Sequence, residues 1–423
     1  MPLSKDFDSR LTPLLGDIAN HFKTPFHIYD EKGIRETGEE LKRAFSGVHG
    51  FREYFAVKAL PNPAILKIMQ NLGFGFDCSS IAELIQSREI GAAPDDIMFT
   101  SNNTSQAAFQ EAFAKGGCII NLDDISLIDK LPAMPELISF RYNPGPSVGG
   151  NDIIGKPAEA KYGISHEQVI EAYRKVRNRG AKRFGLHTMI VSNELNYKYK
   201  VKTTRMLLDI VELVQAELDI RFEFINFGGG LGIPYLPGDA PLDLGALATE
   251  VKALLADFKA RNGYVPAFLM ESGRYMTGPH GALVVTAINH KDIYRRYIGV
   301  DASMTALMRP GLYGAYHHIT VPGRADATAT DVVDVVGSLC ENNDKFAIQR
   351  ELPRISDGDL LVIHDTGAHG QSMGFNYNGK LRPQELLLRQ DGNVELIRRA
   401  ETTADYFATL NFSPDVWGPQ LGA

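Results

Sequence analysis

The sequence has little cysteine, no long apolar run and no block of basic residues, and each shortage excludes a class of protein. Its three cysteines, Cys78, Cys118 and Cys340, lie far apart without CxxC spacing. We therefore expect reduced thiols, and neither a disulfide framework nor a metal site is predicted. No apolar stretch is long enough to cross a membrane. The net charge of −7 argues against a nucleic-acid surface. The N-terminal residues do not form a signal peptide, so a cytoplasmic location is expected.

Alternating strand and helix patterns dominate the first two thirds of the chain. The 423 residues are 44% hydrophobic and 22% charged, which is typical of a globular protein of one very large or two ordinary domains. Eight short apolar runs, bounded by Gly, Pro, Asn or Asp, alternate with mostly helical patterns, at 54–57, 74–78, 97–100, 118–122, 137–142, 184–190, 222–227 and 267–271. This predicts an α/β fold, a parallel (β/α)8 TIM-type barrel over residues 30–280. Only the count of eight separates it from an open doubly wound sheet.

The remainder of the chain predicts a second, mostly β domain made of residues 1–29 and 281–423. Strand-like runs separated by Gly, Pro and Asp turns occur at 283–288, 293–300, 319–321, 332–338, 360–364, 385–388 and 394–398. A short strand near Phe26 precedes the barrel and is expected to join this domain. Residues 1 to about 24 predict one amphipathic helix.

Lys58 follows the first predicted strand, at the end where TIM barrels build their active sites. A lysine in this position must be paired, lose its charge through a lowered pKa, or bond to a ligand. An amine of lowered pKa can attack a carbonyl. The alternative is a lysine whose stem packs while its head reaches water.

Two further strand ends carry chemistry that fits a phosphate-bearing ligand. Glycines at 228, 229, 230 and 232 follow the seventh strand, where consecutive backbone N–H groups form an anion-binding nest, or simply a turn. Glu271 ends the eighth strand and either pairs with Arg274 or holds a proton on a ring nitrogen. A lysine, a nest and a carboxylate together indicate pyridoxal phosphate. An aldolase-type barrel with a Schiff-base lysine is the chief alternative.

Several motifs resemble the fold type III pyridoxal-phosphate decarboxylases, most closely the diaminopimelate decarboxylases. In family order they span most of the chain, at 54–59 (Tyr-Phe-Ala-Val-Lys-Ala), 76–83, 226–235, 271–274, 308–314, 340–341 and 365–383. The resemblance implies that Lys58 forms the Schiff base with the cofactor. It implies further cofactor-binding residues, namely Asp77, His187, Ser192, Gly229, Gly230, Glu271, Ser272, Gly273, Arg274 and His369.

The resemblance also implies a substrate and a homodimer with shared active sites. The substrate would be meso-diaminopimelate, decarboxylated at its D centre to L-lysine and CO2 in the last step of lysine biosynthesis. The implied substrate-binding residues are Arg274, Arg309, Tyr313, Glu341 and Tyr377. Cys340 from the other subunit would protonate the α-carbon, and its acidic neighbours favour a protonated thiol. Glu341 would contact the distal ammonium.

Three departures from the family pattern bear on the substrate. Met189 replaces the second histidine of the motif after strand six, His369 replaces a tyrosine, and Ser272 replaces a proline. Ring stacking then falls to Met189, to His187 or to neither. The alternatives are a decarboxylase of D-lysine, D-ornithine or a carboxylated polyamine, an amino acid racemase, and a catalytically inactive relative that acts by binding.

Overall fold

The computed structural model describes residues 3–147, 156–324, 327 and 330–412; residues 413–423, which the sequence assigns to the second domain, lie outside this range. The chain begins with helices α1 (Lys5–Leu11) and α2 (Leu15–Phe22), joined by a 3-10 turn. The prediction of one helix here is wrong, because Pro13 has no N–H group to continue the helical hydrogen bonds. Both helices pack apolar side chains against strand β1 (Phe26–Asp30) and its neighbours.

Eight parallel strands close into a barrel, which confirms the predicted fold. They are β2 (Arg52–Ala56), β3 (Gly75–Cys78), β4 (Ile97–Ser101), β5 (Ile119–Leu122), β6 (Leu137–Tyr142), β7 (Arg183–Thr188), β8 (Phe222–Asn226) and β9 (Ala267–Met270). Pairing of Arg52 with Leu269 and of Glu53 with Met270 joins the last strand to the first. The carboxyl ends of all eight strands therefore meet at one mouth.

Helices alternate with the barrel strands, except that a 3-10 helix joins β5 to β6, and their apolar faces pack in the same core as the strands. They are α3 (Glu31–Ala44), α4 (Pro63–Asn71), α5 (Ile81–Glu89), α6 (Gln106–Phe113), α7 (Val169–Asn178), α8 (Tyr197–Leu218) and α9 (Leu244–Asn262). Helix α8 begins at Tyr197, because the Asn196 side chain accepts a hydrogen bond from the backbone N–H of Lys198 and caps the first turn. Within the described ranges, no helix combines the length and the apolar content needed to cross a membrane.

The second sheet is mixed and incorporates the first strand of the chain. After the short helix α10 (Arg274–Thr277), its strands are β10 (Gly281–Asp292), β11 (Arg296–Val300), β12 (Ile319–Thr320), β13 (Thr330–Val336), β14 (Lys345–Pro353), β15 (Leu360–Ile363), β16 (Gln384–Leu388) and β17 (Val394–Arg398). Strand β1 lies between β10, to which it is antiparallel, and β16, to which it is parallel. Two short helices, α11 (Arg309–Tyr313) and α12 (Thr403–Phe407), complete the described elements. The prediction of a second unit that is mostly β-sheet is thus confirmed.

Strand β14 is absent from the sequence prediction for a local reason. Its pairing with β13 shifts register twice, and Gln349 adopts a left-handed conformation with φ of +46°. Such irregularities break the alternation of apolar and polar residues that identifies a strand.

Candidate active site

The barrel mouth opens into a cavity of about 810 Å³ that contains most of the predicted site residues. Those lining it are Lys58, Asp77, Ser192, Gly229, Gly230, Glu271, Gly273, Arg274, Arg309, Tyr313 and His369. The predicted residues that do not line it are His187, Ser272, Cys340, Glu341 and Tyr377. The structure therefore brings the lysine, the glycine nest and the carboxylate to one space.

Lys58 lies in the short turn after β2 and is paired with a carboxylate. Its Nζ is 3.0 Å from Oδ2 of Asp77, a buried side chain at the end of β3. Burial acts to lower the pKa of Lys58, but the charges of Asp77 and Glu271 outweigh it and the pKa is raised. The free amine is thus a paired ammonium, and the lowered pKa that burial alone suggested is not found.

Glu271 is held by two neighbours that fix the direction of its carboxylate. Its Oε2 is 3.0 Å from Nε2 of His187, and its Oε1 accepts a hydrogen bond of 2.7 Å from the amide of Asn226. Burial acts to raise the pKa of Glu271, but His187, Lys58 and Arg141 lower it below its usual value. Glu271 is therefore ionised at neutral pH, and fully buried His187 acts behind it rather than in the cavity.

Ser272 also lies behind the cavity. Its backbone N–H donates to Oε1 of Glu53 at 2.5 Å. Burial raises the pKa of Glu53 well above its usual value. Glu53 is thus a neutral carboxyl that anchors the segment following Glu271.

Neighbouring segments donate hydrogen bonds to the carbonyl groups of the loop after β8. The carbonyls of Gly228 and Gly230 accept hydrogen bonds of 2.9 Å from the backbone N–H groups of Glu271 and Glu194. The Gly229 carbonyl accepts one from Nζ of Lys200. Because a trans peptide points its N–H opposite its C=O, the N–H groups of the three following residues point the other way. Consecutive N–H groups on one side of a loop are the arrangement by which a backbone nest binds an anion.

Glycine is required at two positions of this loop. A Cβ at Gly229 would lie 2.4 Å from the Glu271 carbonyl oxygen, and one at Gly230 would lie 2.2 Å from that of Val191. Gly230 also has φ of +93°, in the region that favours glycine. The close approach of these backbone segments fits the phosphate nest expected of a pyridoxal-phosphate site.

Two buried arginines that line the cavity converge on one tyrosine hydroxyl. Arg274 and Arg309 donate to the hydroxyl oxygen of Tyr235 at 2.6 and 2.9 Å. Arg274 also donates to Oγ of Ser192 at 3.3 Å. Neither guanidinium forms an ion pair with a carboxylate of the described residues, so both positive charges are available to anionic groups of a ligand.

A neutral histidine fixes the direction of Arg309. The Arg309 guanidinium is 2.9 Å from Nε2 of His317, whose Nδ1 is 2.7 Å from the His364 carbonyl oxygen. Burial and the charge of Arg309 lower the pKa of His317 to about 3. His317 therefore accepts from the arginine at Nε2 and donates to the carbonyl through Nδ1.

His369 and Met189 line the cavity at two of the three positions that depart from the family pattern. The backbone N–H of His369 donates to the Ala59 carbonyl at 2.9 Å, next to Lys58. Burial, with the charges of Arg274 and others, lowers the pKa of His369 well below its usual value, so the imidazole is neutral. Met189 lines the cavity beside the glycine loop, whereas His187 does not.

Cys340, Glu341 and Tyr377 lie outside the cavity of their own chain and are exposed. Buried Asp344 fixes the loop that carries Cys340, because its carboxylate accepts from the backbone N–H groups of Met304 and Leu339 at 2.6 and 2.8 Å. The charge of Glu341 and its hydrogen bond to the phenol raise the pKa of Tyr377. The loop thus presents the thiol outward.

Some lining residues are not among the predicted site residues. Arg141, which lines the cavity, donates to Oδ1 of Asn102 at 3.0 Å and lies over the ring of Tyr162 at 5.1 Å. Arg141 is the last residue but one of β6 and Asn102 directly follows β4, so strand-end position was a usable signal. Lys161 and Tyr162 lie outside the strands, so no strand pattern marks them.

Comparisons with known proteins agree with this geometry. Residues 32–278 match the family described as "Pyridoxal-dependent decarboxylase, pyridoxal binding domain". Protein TabA of Pseudomonas amygdali pv. tabaci is 47% identical over 420 residues, covering 99% of each chain. A diaminopimelate decarboxylase of Methanothermobacter thermautotrophicus is 37% identical over 401 residues, covering 93% of each.

A solved structure shows the same architecture along nearly the whole chain. Diaminopimelate decarboxylase of M. jannaschii, in complex with L-lysine, superimposes with a TM-score of 0.86 at 28% identity, covering 96% of this chain and 95% of that one. The fold, the family match and the sequence relatives lead to one conclusion. The chain belongs to the pyridoxal-dependent decarboxylase family, within the group of the diaminopimelate decarboxylases, and its cofactor is pyridoxal phosphate.

Proposed function

We propose that the protein decarboxylates meso-diaminopimelate to L-lysine and CO2 in lysine biosynthesis. The observation that carries this proposal is the pair of buried arginines, Arg274 and Arg309, that converge on Tyr235 and have no carboxylate partner in the described chain. A buried charge left unpaired is strongly unfavourable, so these two positions favour a ligand that carries anionic groups. A substrate with a distal carboxylate meets that requirement.

Arg309 and Tyr313 belong to one short helix, α11, that reaches the cavity from the second sheet. We assign them, with Arg274, to the distal carboxylate of the substrate. The two donors of one guanidinium edge match a carboxylate with two parallel hydrogen bonds. D-Lysine has the same chain as meso-diaminopimelate but lacks that carboxylate, and would leave Arg309 unpaired.

The reaction divides between the cofactor and the residues around it. Pyridoxal phosphate, when bound, supplies the electron sink for the charge left on the α-carbon as CO2 departs. Lys58 provides the amine that holds the cofactor, and the glycine nest with Gly229 and Gly230 holds its phosphate. Glu271, which His187 and Asn226 keep oriented and whose pKa His187 and Lys58 lower, would accept a hydrogen bond from the ring nitrogen and keep it protonated.

A second copy of the chain completes the proposed site. Cys340 is exposed and Asp344 fixes its loop, yet it lies outside the cavity of its own chain. We assign Cys340 of the partner subunit to protonation of the α-carbon after CO2 leaves. Glu341 of the partner subunit would pair with the distal ammonium. The functional unit is then a homodimer.

The decisive experiment offers meso-diaminopimelate, D-lysine, D-ornithine and a carboxylated polyamine separately to the purified enzyme with pyridoxal phosphate, and identifies the products. We expect L-lysine and CO2 from meso-diaminopimelate. Replacing Arg309 by leucine should lower kcat/KM about a hundredfold for meso-diaminopimelate, since a charge-assisted pair is lost. The same change should have a small effect on any residual turnover of D-lysine.

Arg324→Leu is the matched control, because Arg324 pairs with Asp359 and does not line the cavity. CO2 released from another substrate, with none from meso-diaminopimelate, would reject the substrate assignment. The higher identity to TabA makes this comparison necessary. Failure of the purified protein to bind pyridoxal phosphate at all would support an inactive relative instead.

A further inference from the structure

Lys200 is a fully buried lysine in the first turn of helix α8, directly behind the glycine nest. It does not line the cavity, and no motif in the sequence marks it. Its position is unfavourable twice over. A buried ammonium loses its hydration, and a cation near a helix N-terminus meets the positive end of the helix dipole.

The contacts of Lys200 compensate for little of the free energy that is lost through burial and through the helix dipole. Its Nζ donates to the Gly229 carbonyl and lies 4.7 Å from the centroid of the Phe227 ring. Within the described ranges it forms no ion pair. The charged groups that act on it are Glu194, from the loop before α8, and Glu271, from the end of β9. A nearby dianion on the other side of the loop would supply the missing counter-charge.

The hydrogen bond from the Lys200 side chain to the Gly229 carbonyl has a geometric consequence for the nest. The Gly229 carbonyl and the Gly230 N–H belong to the same trans peptide and point in opposite directions. By holding the carbonyl from behind, Lys200 turns the Gly230 N–H toward the cavity side. A Cβ placed on Gly230 would lie 3.3 Å from the lysine Nζ, which shows how close the ammonium approaches the loop.

We propose that Lys200 is a positioning residue for the cofactor phosphate: it orients the Gly229–Gly230 peptide and places a buried positive charge behind the nest. This inference rests on placing the phosphate at the nest, and not on the choice of amino-acid substrate. Burial lowers the pKa of Lys200 to about 7 although Glu194 and Glu271 act to raise it. Binding of a phosphate dianion favours the ammonium, so the free protein takes up a proton there as the cofactor binds above that pH.

The test measures equilibrium binding to the apoprotein, by absorbance and fluorescence, for pyridoxal phosphate and for pyridoxal, which lacks the phosphate. Lys200→Met keeps the length of the side chain and removes its charge and its donor. Lys202→Met, at an exposed position of the same helix, is the matched control. We expect Lys200→Met to raise the Kd of pyridoxal phosphate about thirtyfold at pH 6, and that of pyridoxal less than about twofold.

The pH dependence gives a second readout that a merely structural role would not move. The ratio of the Kd of the variant to that of the native protein should fall to about threefold or less at pH 8.5, because Lys200 of the free protein is then neutral. Thermal unfolding of the two apoproteins checks the fold, and the variant should melt no lower, since an unpaired buried charge has been removed.

Equal losses of affinity for pyridoxal phosphate and pyridoxal, or a ratio independent of pH, would overturn the proposal. Unchanged binding of pyridoxal phosphate by Lys200→Met would do the same. All of these measurements are made without substrate, so a wrong assignment of the decarboxylated amino acid leaves their interpretation intact.

Discussion

Replacing Tyr235 by phenylalanine removes one oxygen atom on which two buried arginines depend. The hydroxyl accepts hydrogen bonds from Arg274 and Arg309 at 2.6 and 2.9 Å, and the ring lies 5.7 and 4.8 Å from their guanidinium carbons. Phenylalanine keeps the ring under both cations. The change therefore isolates the acceptor that holds the two guanidinium groups together.

The magnitude follows from the charge of the donors. A hydrogen bond to a charged group contributes about 1.5–3 kcal/mol, and an unsatisfied buried donor loses a similar amount. The two arginines line an open cavity of about 810 Å³, so water replaces part of the loss. If the net loss equals one of the two hydrogen bonds, substrate binding weakens by about 2 kcal/mol. This corresponds to about a thirtyfold rise in KM for meso-diaminopimelate.

The test is to measure the KM for meso-diaminopimelate of Tyr235→Phe and of the control variant Tyr173→Phe by steady-state kinetics. Tyr173 is buried and donates to the Gly185 carbonyl at 2.6 Å, but it does not line the cavity. The control should lose stability and keep its KM. A KM in Tyr235→Phe within about twofold of the native value, with stability unaffected, would refute the assignment of the tyrosine as the anchor of both arginines.

Two further predictions concern the nest and the pH dependence of stability. Gly230→Ala should abolish measurable pyridoxal-phosphate binding, because its Cβ meets the Val191 carbonyl at 2.2 Å; Gly238→Ala, at φ of +100° with no atom within 4 Å, should bind normally. Burial raises the pKa of Asp365 to about 7. A carboxyl with a raised pKa in the folded state stabilises it most at low pH, and this stabilisation is lost as the pH rises from about 4 to 7. Asp365→Asn, which keeps the acceptor for the Leu3 N–H, should remove this dependence, on the order of 4 kcal/mol between pH 4 and 8 in urea unfolding. Normal cofactor binding by Gly230→Ala would contradict the first prediction. An unchanged pH dependence of the unfolding free energy in Asp365→Asn would contradict the second.

The barrel could be predicted from sequence because its signal is local. Each of its strands is a short, nearly continuous apolar run, as expected for strands that are buried on both faces. The division of the N-terminal segment into two helices, and strand β14, could not be predicted. Pro13 interrupts the helical pattern, and Gln349, in a left-handed conformation, interrupts the alternation of the strand. A single residue in each case alters the backbone without changing the composition of the segment.

The site was predictable to the extent that strand ends reveal it. Lys58, the glycine loop and Glu271 each follow a barrel strand, and the topology alone brings them together. Lys200 and His317 could not be found this way. A lysine in the first turn of a helix looks like any surface lysine, and only the packing of α8 against the loop buries it.

Strand β1 has a consequence for how the polypeptide is made. Phe26–Asp30 is synthesised early, but its neighbours in the sheet are β10 and β16, the second of which ends at Leu388. The barrel is complete when residue 270 has left the ribosome, and β10 follows soon after, but the second partner of the first strand, β16, lies in the last quarter of the chain. A stalled or truncated product that ends before β16 thus carries a folded barrel beside a strand with at least one unpaired edge, which makes such fragments prone to aggregation and to removal by proteases.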